Sequence, residues 1–139
     1  MLILARPHVS LLDGLAVAAW LPRVGIHQAI FAVDPDYARH GIYGPLLKLY
    51  GTIAGGHEML SLDAQHPFAM RRLLKLLDQN RDVVIFPQGT GLSIPDRPDM
   101  PGCRWLASHA KRKVMDITLD HRGPWPKVAR FEELAPHHS

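Results

Sequence analysis

The chain has 139 residues, which fits one domain and leaves little room for a second. Hydrophobic residues make up 47% and charged residues 21%, which excludes a disordered, collagen-like or highly charged chain and leaves enough apolar side chains for a buried core. A formal net charge of +3 favours an anionic surface or substrate and is too small to argue for nucleic acid, although nine histidines add positive charge below neutral pH.

Strand-like and helix-like segments alternate. Leu2-Ile3-Leu4-Ala5 reads as a strand stopped by Arg6-Pro7. Leu11 to Leu21 reads as a mostly apolar helix closed by Pro22. That stretch, broken by Asp13, falls well below the roughly 20 residues that span a bilayer, and Met1 to Pro7 is too short for the apolar region of a signal peptide. Ala29 to Val33 is a second strand candidate. Ile42 to Ile53 looks helical, with Leu46, Leu47, Leu49 and Tyr50 on an apolar face and Gly55-Gly56 ending it. Met59 to Leu62 is a third strand.

The clearest helix runs from Pro67 to Asn80. Met70, Leu73, Leu74 and Leu77 repeat at helical spacing, with Arg71, Lys75 and Asp78 opposite. Val83 to Phe86 follows as a strand rich in β-branched residues. Thr90 to Gly102 holds three prolines and reads as a loop. Cys103 to Ala110 reads as a short helix and Val114 to Leu119 as the last strand. The residues after Gly123 show no strong pattern. The alternation predicts one α/β domain, a mostly parallel sheet flanked by helices, with a core over about 6–120 and an irregular tail over 121–139.

Chemistry concentrates in two stretches. In Pro7-His8-Val9-Ser10-Leu11-Leu12-Asp13-Gly14, the histidine and aspartate are five apart and would diverge by about 140° inside one regular helix. They meet only if His8 precedes the helix and Asp13 lies in its first turn. Ser10-x-x-Asp13 before an apolar run has the form of a capping box, with Ser10 as N-cap and Asp13 at N3. Asp13 would then orient His8 as a general base acting on a substrate hydroxyl. By spacing alone, the pair reads more readily as an ordinary loop histidine and a capping aspartate. The second stretch, Val83 to Thr90, is a strand entering a Pro/Gly turn that offers backbone N–H groups and the Thr90 hydroxyl to an anion or oxyanion. In isolation it reads as a plain strand-ending turn. The two in this order, with strands and helices between, are far more informative together.

Together they resemble the glycerolipid acyltransferase family typified by lysophosphatidic acid acyltransferases, whose first block is N-H-x-x-x-x-D and whose third is F-P-E-G-T-R. His8 and Asp13 match the first, and Phe86-Pro87-Gln88-Gly89-Thr90 the third. The likeness is strongest to the acyltransferase half of the bacterial lysophosphatidylethanolamine acyltransferase/acyl-carrier-protein synthetases, and it runs from about Arg6 to Leu119. Pro7 stands where the family has asparagine, Gln88 where it has glutamate, and Gly91 where many members have arginine. Leu62-Asp63 stands where many members end their second block in a phosphate-reading arginine. Members usually carry more chain on both sides, so the matched stretch corresponds to the catalytic core.

The resemblance implies an O-acyltransferase of phospholipid biosynthesis, moving a fatty acyl group from acyl carrier protein or coenzyme A thioester to a lysophospholipid hydroxyl. His8 and Asp13 would be catalytic, and Phe86, Pro87, Gln88, Gly89 and Thr90 would bind substrate. It implies no cofactor and no metal, and a cytoplasmic protein resting peripherally on the inner face of the membrane. Arg71 and Arg72, with Lys75, read as a solvated helix face or, more sharply, as a phosphate or carrier contact. Lys111-Arg112-Lys113 reads as surface, or as a contact for an anionic headgroup or acidic carrier. His57, His66, His109 and His121 lack metal-type spacing and read as surface or core residues. Cys103 excludes an internal disulfide, suits a reducing compartment, and reads as a small buried residue. Two other readings stand beside this one: a non-catalytic descendant that binds lipid or a partner protein, favoured by Gln88 and Gly91, and a thioesterase-like hydrolase.

Overall fold

The computed structural model describes residues 1–6, 12–33, 45, 47–49, 55–61, 67–88, 98–110 and 113–134. Apolar, β-branched runs make the strands: β1 (Leu2–Arg6), β2 (Ile30–Val33), β3 (Glu58–Ser61), β4 (Val83–Ile85) and β5 (Val114–Asp120), with β6 (Lys127–Leu134) after them. They form one six-stranded sheet in the order β3-β2-β4-β1-β5-β6, parallel except for β6, which runs antiparallel to β5. The fold is α/β, as the alternation predicts. β1 lies centrally, with Leu4 opposite Ile85 of β4 on one side and Asp116 of β5 on the other.

Alternate residues of each strand face opposite layers. Ile3, Ala5, Phe31, Val84 and Ile117 pack on one side with Val17 and Ala18 of α1 (Asp13–Trp20). Leu2, Leu4, Ile30, Val83 and Ile85 pack on the other with Met70, Leu73 and Leu77 of α2 (Pro67–Asp78) and Cys103 and Leu106 of α3 (Pro101–His109). Because parallel strands must be joined by crossovers, both faces of the central strands β1, β2 and β4 are covered and their positions are almost all apolar. Among the described residues no helix is long and apolar enough to cross a membrane.

Three sequence expectations are corrected. Pro22 does not end the chain's first helical segment: it sits in a 3-10 helix, Leu21–Val24, that continues α1, since a proline is tolerated in a first turn. The stop is Gly25, at φ 81°, whose N–H bonds back to Leu21 and Pro22. The Pro-rich loop also ends earlier than expected, because Pro101 opens α3. Most substantially, β5 is not the last strand, and part of the stretch after Gly123 is regular. Lys127–Leu134 forms β6, whose side chains are almost all exposed and so carry no burial pattern to read. A bulge between Thr118 and Leu119 interrupts its ladder with β5.

Candidate active site

In a parallel sheet, loops at the carboxyl ends of the strands converge on one edge, where such folds bind ligands. Three described elements meet that edge from neighbouring strands: Asp13 at the start of α1 after β1, the Phe86–Gln88 segment after β4, and His121 directly after β5.

Asp13 is the first residue of α1, with Leu12 in the cap position. The expected N3 placement is therefore corrected to N1; Ser10, the expected cap, lies outside the described residues. The Asp13 carboxyl is 0% exposed. Nε2 of His121, 20% exposed, donates to its Oδ1 at 2.6 Å, so Nε2 carries the proton in this contact. The helix N-terminus favours the same negative charge. A buried carboxylate is costly unless paired and hydrogen-bonded, and His121 supplies one such partner. Its neighbours close the turn that presents it. Asp120 accepts the Arg122 backbone N–H at 2.9 Å and the Arg122 guanidinium at 2.9–3.2 Å, which holds the Asp120 carboxyl down to a pKa of about 2.

The other site residues divide clearly. Phe86, Pro87 and Gln88 are buried: Phe86 belongs to the core on the α1 side, and Gln88 is 5% exposed. Burying a neutral amide costs less than burying a carboxylate. The Pro87 carbonyl accepts the Met100 N–H at 2.7 Å, tying this turn to the start of α3. Arg71 and Arg72 lie exposed on α2, in the layer opposite α1, with the Arg71 guanidinium 5.9 Å above the Phe68 ring. His8, Gly89, Thr90, Gly91 and Asp63 lie outside the described residues, as do His66, Lys111 and Arg112.

Two further features bear on the chemistry. Arg6, at the end of β1, forms a bidentate pair with Asp99 at 2.7 and 3.2 Å and a third bond to Asp116 at 2.9 Å. Burial opposes its charge, but the two carboxylates outweigh that and hold its pKa above the ordinary value. Cys103 is buried on α3, where burial, with Asp99 nearby, pushes the thiol up to about 11. It is therefore protonated at neutral pH and poorly suited to act as a nucleophile. Among the described residues no three His, Cys, Asp or Glu side chains group as metal ligands.

His121 was not legible as a site residue from local sequence, because its partner is 108 positions away. The available signal was its place one residue beyond a parallel strand's carboxyl end. Fold and site together describe an α/β domain with a buried carboxylate–imidazole pair at the carboxyl edge of its sheet. No protein-family model matches the chain, and no solved structure matches it.

Proposed function

We propose that the protein is an acyltransferase that moves a fatty acyl group from a thioester to the hydroxyl of a lysophospholipid. The observation that carries this reading is Asp13 of the motif that resembles the family's first block, fully buried at the carboxyl edge of the sheet, where it accepts from the His121 imidazole. A buried carboxylate beside a histidine supports general-base chemistry on a hydroxyl.

In this mechanism His8 accepts the acceptor's hydroxyl proton while Asp13 steadies the imidazolium. The alkoxide adds to the thioester carbonyl. The tetrahedral intermediate collapses to the new ester, and the departing thiolate recovers the proton from His8. The stretch from Pro87 to Thr90, which the resemblance assigns to substrate, would help hold the acceptor or the developing oxyanion. The transfer is direct and uses no cofactor; the donor is acyl carrier protein or coenzyme A thioester, and contact with the membrane is peripheral.

The test is thiol release from an acyl thioester, measured with and without lysophospholipid. Release that depends on the acceptor, with ester product, supports the proposal. Release without it makes the protein a hydrolase, and none in either case makes it a binding protein. His8→Ala should lower transfer by about 100- to 10,000-fold, the usual contribution of a general base. Wild-type turnover in folded His8→Ala would overturn this mechanism.

A further inference from the structure

We propose that His121 is a positioning residue of the acyl-transfer site and acts through Asp13. Its kinetic consequence rests on the acyltransferase reading above, whereas the contact does not. The argument begins with the contact's length in sequence: it joins the first residue of the first helix to the residue after the last parallel strand, 108 positions apart. Local turn chemistry does not produce such a bond. At 2.6 Å it falls among short, charge-assisted hydrogen bonds, and it lands on a carboxyl group with no solvent exposure. Asp120 and Arg122, on either side of the histidine, bond to each other through backbone and guanidinium groups and so close the turn that carries it.

A carboxyl group has two oxygens, and a bond to one fixes the plane of both. With Oδ1 held by His121, the carboxyl group is less free to turn, and in the proposed mechanism that group steadies the base. His121 thus contributes to the rate without touching substrate. This differs from merely neutralising a buried charge, which would influence stability alone.

The experiment compares His121→Gln, whose amide N–H reaches about as far as Nε2, with His121→Ala and Asp13→Asn in the full chain. Proton NMR of histidine-labelled protein should show a slowly exchanging, downfield Nε2 proton in the wild type, lost in His121→Ala and in Asp13→Asn. For transfer from an acyl-coenzyme A thioester to lysophosphatidylethanolamine, His121→Ala should lower kcat about 10- to 100-fold, with KM for both substrates within about twofold. His121→Gln should recover most of that loss and keeps the comparison valid if His121→Ala does not fold. Unchanged kcat in a folded His121→Ala overturns the proposal. So does an equal loss in His121→Gln and His121→Ala while His8→Ala stays active, which would make His121 the base itself. A wild type that transfers no acyl group overturns the acyltransferase reading and the positioning role with it. In that case the NMR proton, if lost in Asp13→Asn, still records the pair; its absence from the wild type refutes the pair directly.

Discussion

His57 is 4% exposed, and both of its ring nitrogens are engaged. Nδ1 accepts the Ala29 N–H at 3.0 Å, which leaves Nε2 protonated and donating to the Ala18 carbonyl at 3.2 Å. The ring thereby pins the entry to β2 and the end of α1 to the start of β3. Burial lowers its pKa below the usual histidine value, against the Ala18 bond, which works to raise it. The unfolded chain therefore binds a proton at His57 more readily than the folded one does. Stability from this residue is complete above the unfolded value, near pH 6.5, and falls as pH drops through that value toward the folded one. Thermal melts from roughly pH 7.5 down to pH 5 should show the decline. His57→Phe should remove this component and cost about 1–3 kcal/mol for each backbone group left unpaired; a pH dependence identical to wild type would assign it to other histidines. Gly55 belongs to the same device. A Cβ there would stand 2.7 Å from His57 Nε2 and 2.9 Å from Cε1, so Gly55→Ala should destabilise by about 1–3 kcal/mol in chemical denaturation.

Among the elements, α2 was the most legible because its burial is one-sided. Leu73 and Leu77 are fully buried, while Phe68, earlier on the same helix, is 68% exposed. Leu73→Ala should cost about 2–5 kcal/mol and Phe68→Ala within about 0.5 kcal/mol, read from denaturant midpoints; similar costs would mean that Phe68 is covered in solution. The central strands β1, β2 and β4 were legible because burial on both faces makes each a short apolar run. β6 was not, since an edge strand with one neighbour and exposed faces needs no alternation; Val128 packs against the core, and the half-exposed Phe131 meets Trp20 at its margin. Periodicity reports burial, and where burial is slight it is silent. The site was half legible. Asp13 stood out within a local motif, whereas its bond to His121 and the grip of Arg6 on Asp99 and Asp116 arise only when distant strand ends are brought together. That grip ties β1, β5 and the approach to α3. Arg6→Met would leave two carboxylates facing each other without their cation. Because all three groups are partly solvated, the loss should be about 1–3 kcal/mol, below the cost of breaking a fully buried pair. Asp99→Asn, which keeps one charged pair, should cost less; equal losses would show that Asp116 adds nothing.

Across the whole molecule, the placement of arginines decides which acceptor the proposed site suits. A phosphate monoester such as lysophosphatidic acid carries close to two negative charges, and arginine meets such a group best because its fork matches the phosphate oxygens. The family-like positions for that contact hold Asp63 and Gly91 instead. At the carboxyl edge, Arg6 and Arg122 are each committed to carboxylates, and a dianion would have to compete with Asp99 and Asp116 for one or with Asp120 for the other. Arg71, Arg72 and Arg104 are exposed on α2 and α3, in the layer across the sheet from Asp13. A net charge of +3 attracts an anionic surface at long range, and the arginines named above do not gather as a binding fork at the site. A zwitterionic or singly charged headgroup asks for less. Lysophosphatidylethanolamine should therefore be acylated in preference to lysophosphatidic acid when both compete in one mixture, scored by product mass. Arg71→Ala and Arg72→Ala should leave that ratio within about twofold, since neither lies in the layer that holds Asp13. Clear preference for lysophosphatidic acid, abolished by either substitution, would mean that α2 reaches around the sheet edge to supply the contact; preference that survives both would assign it to another cationic side chain.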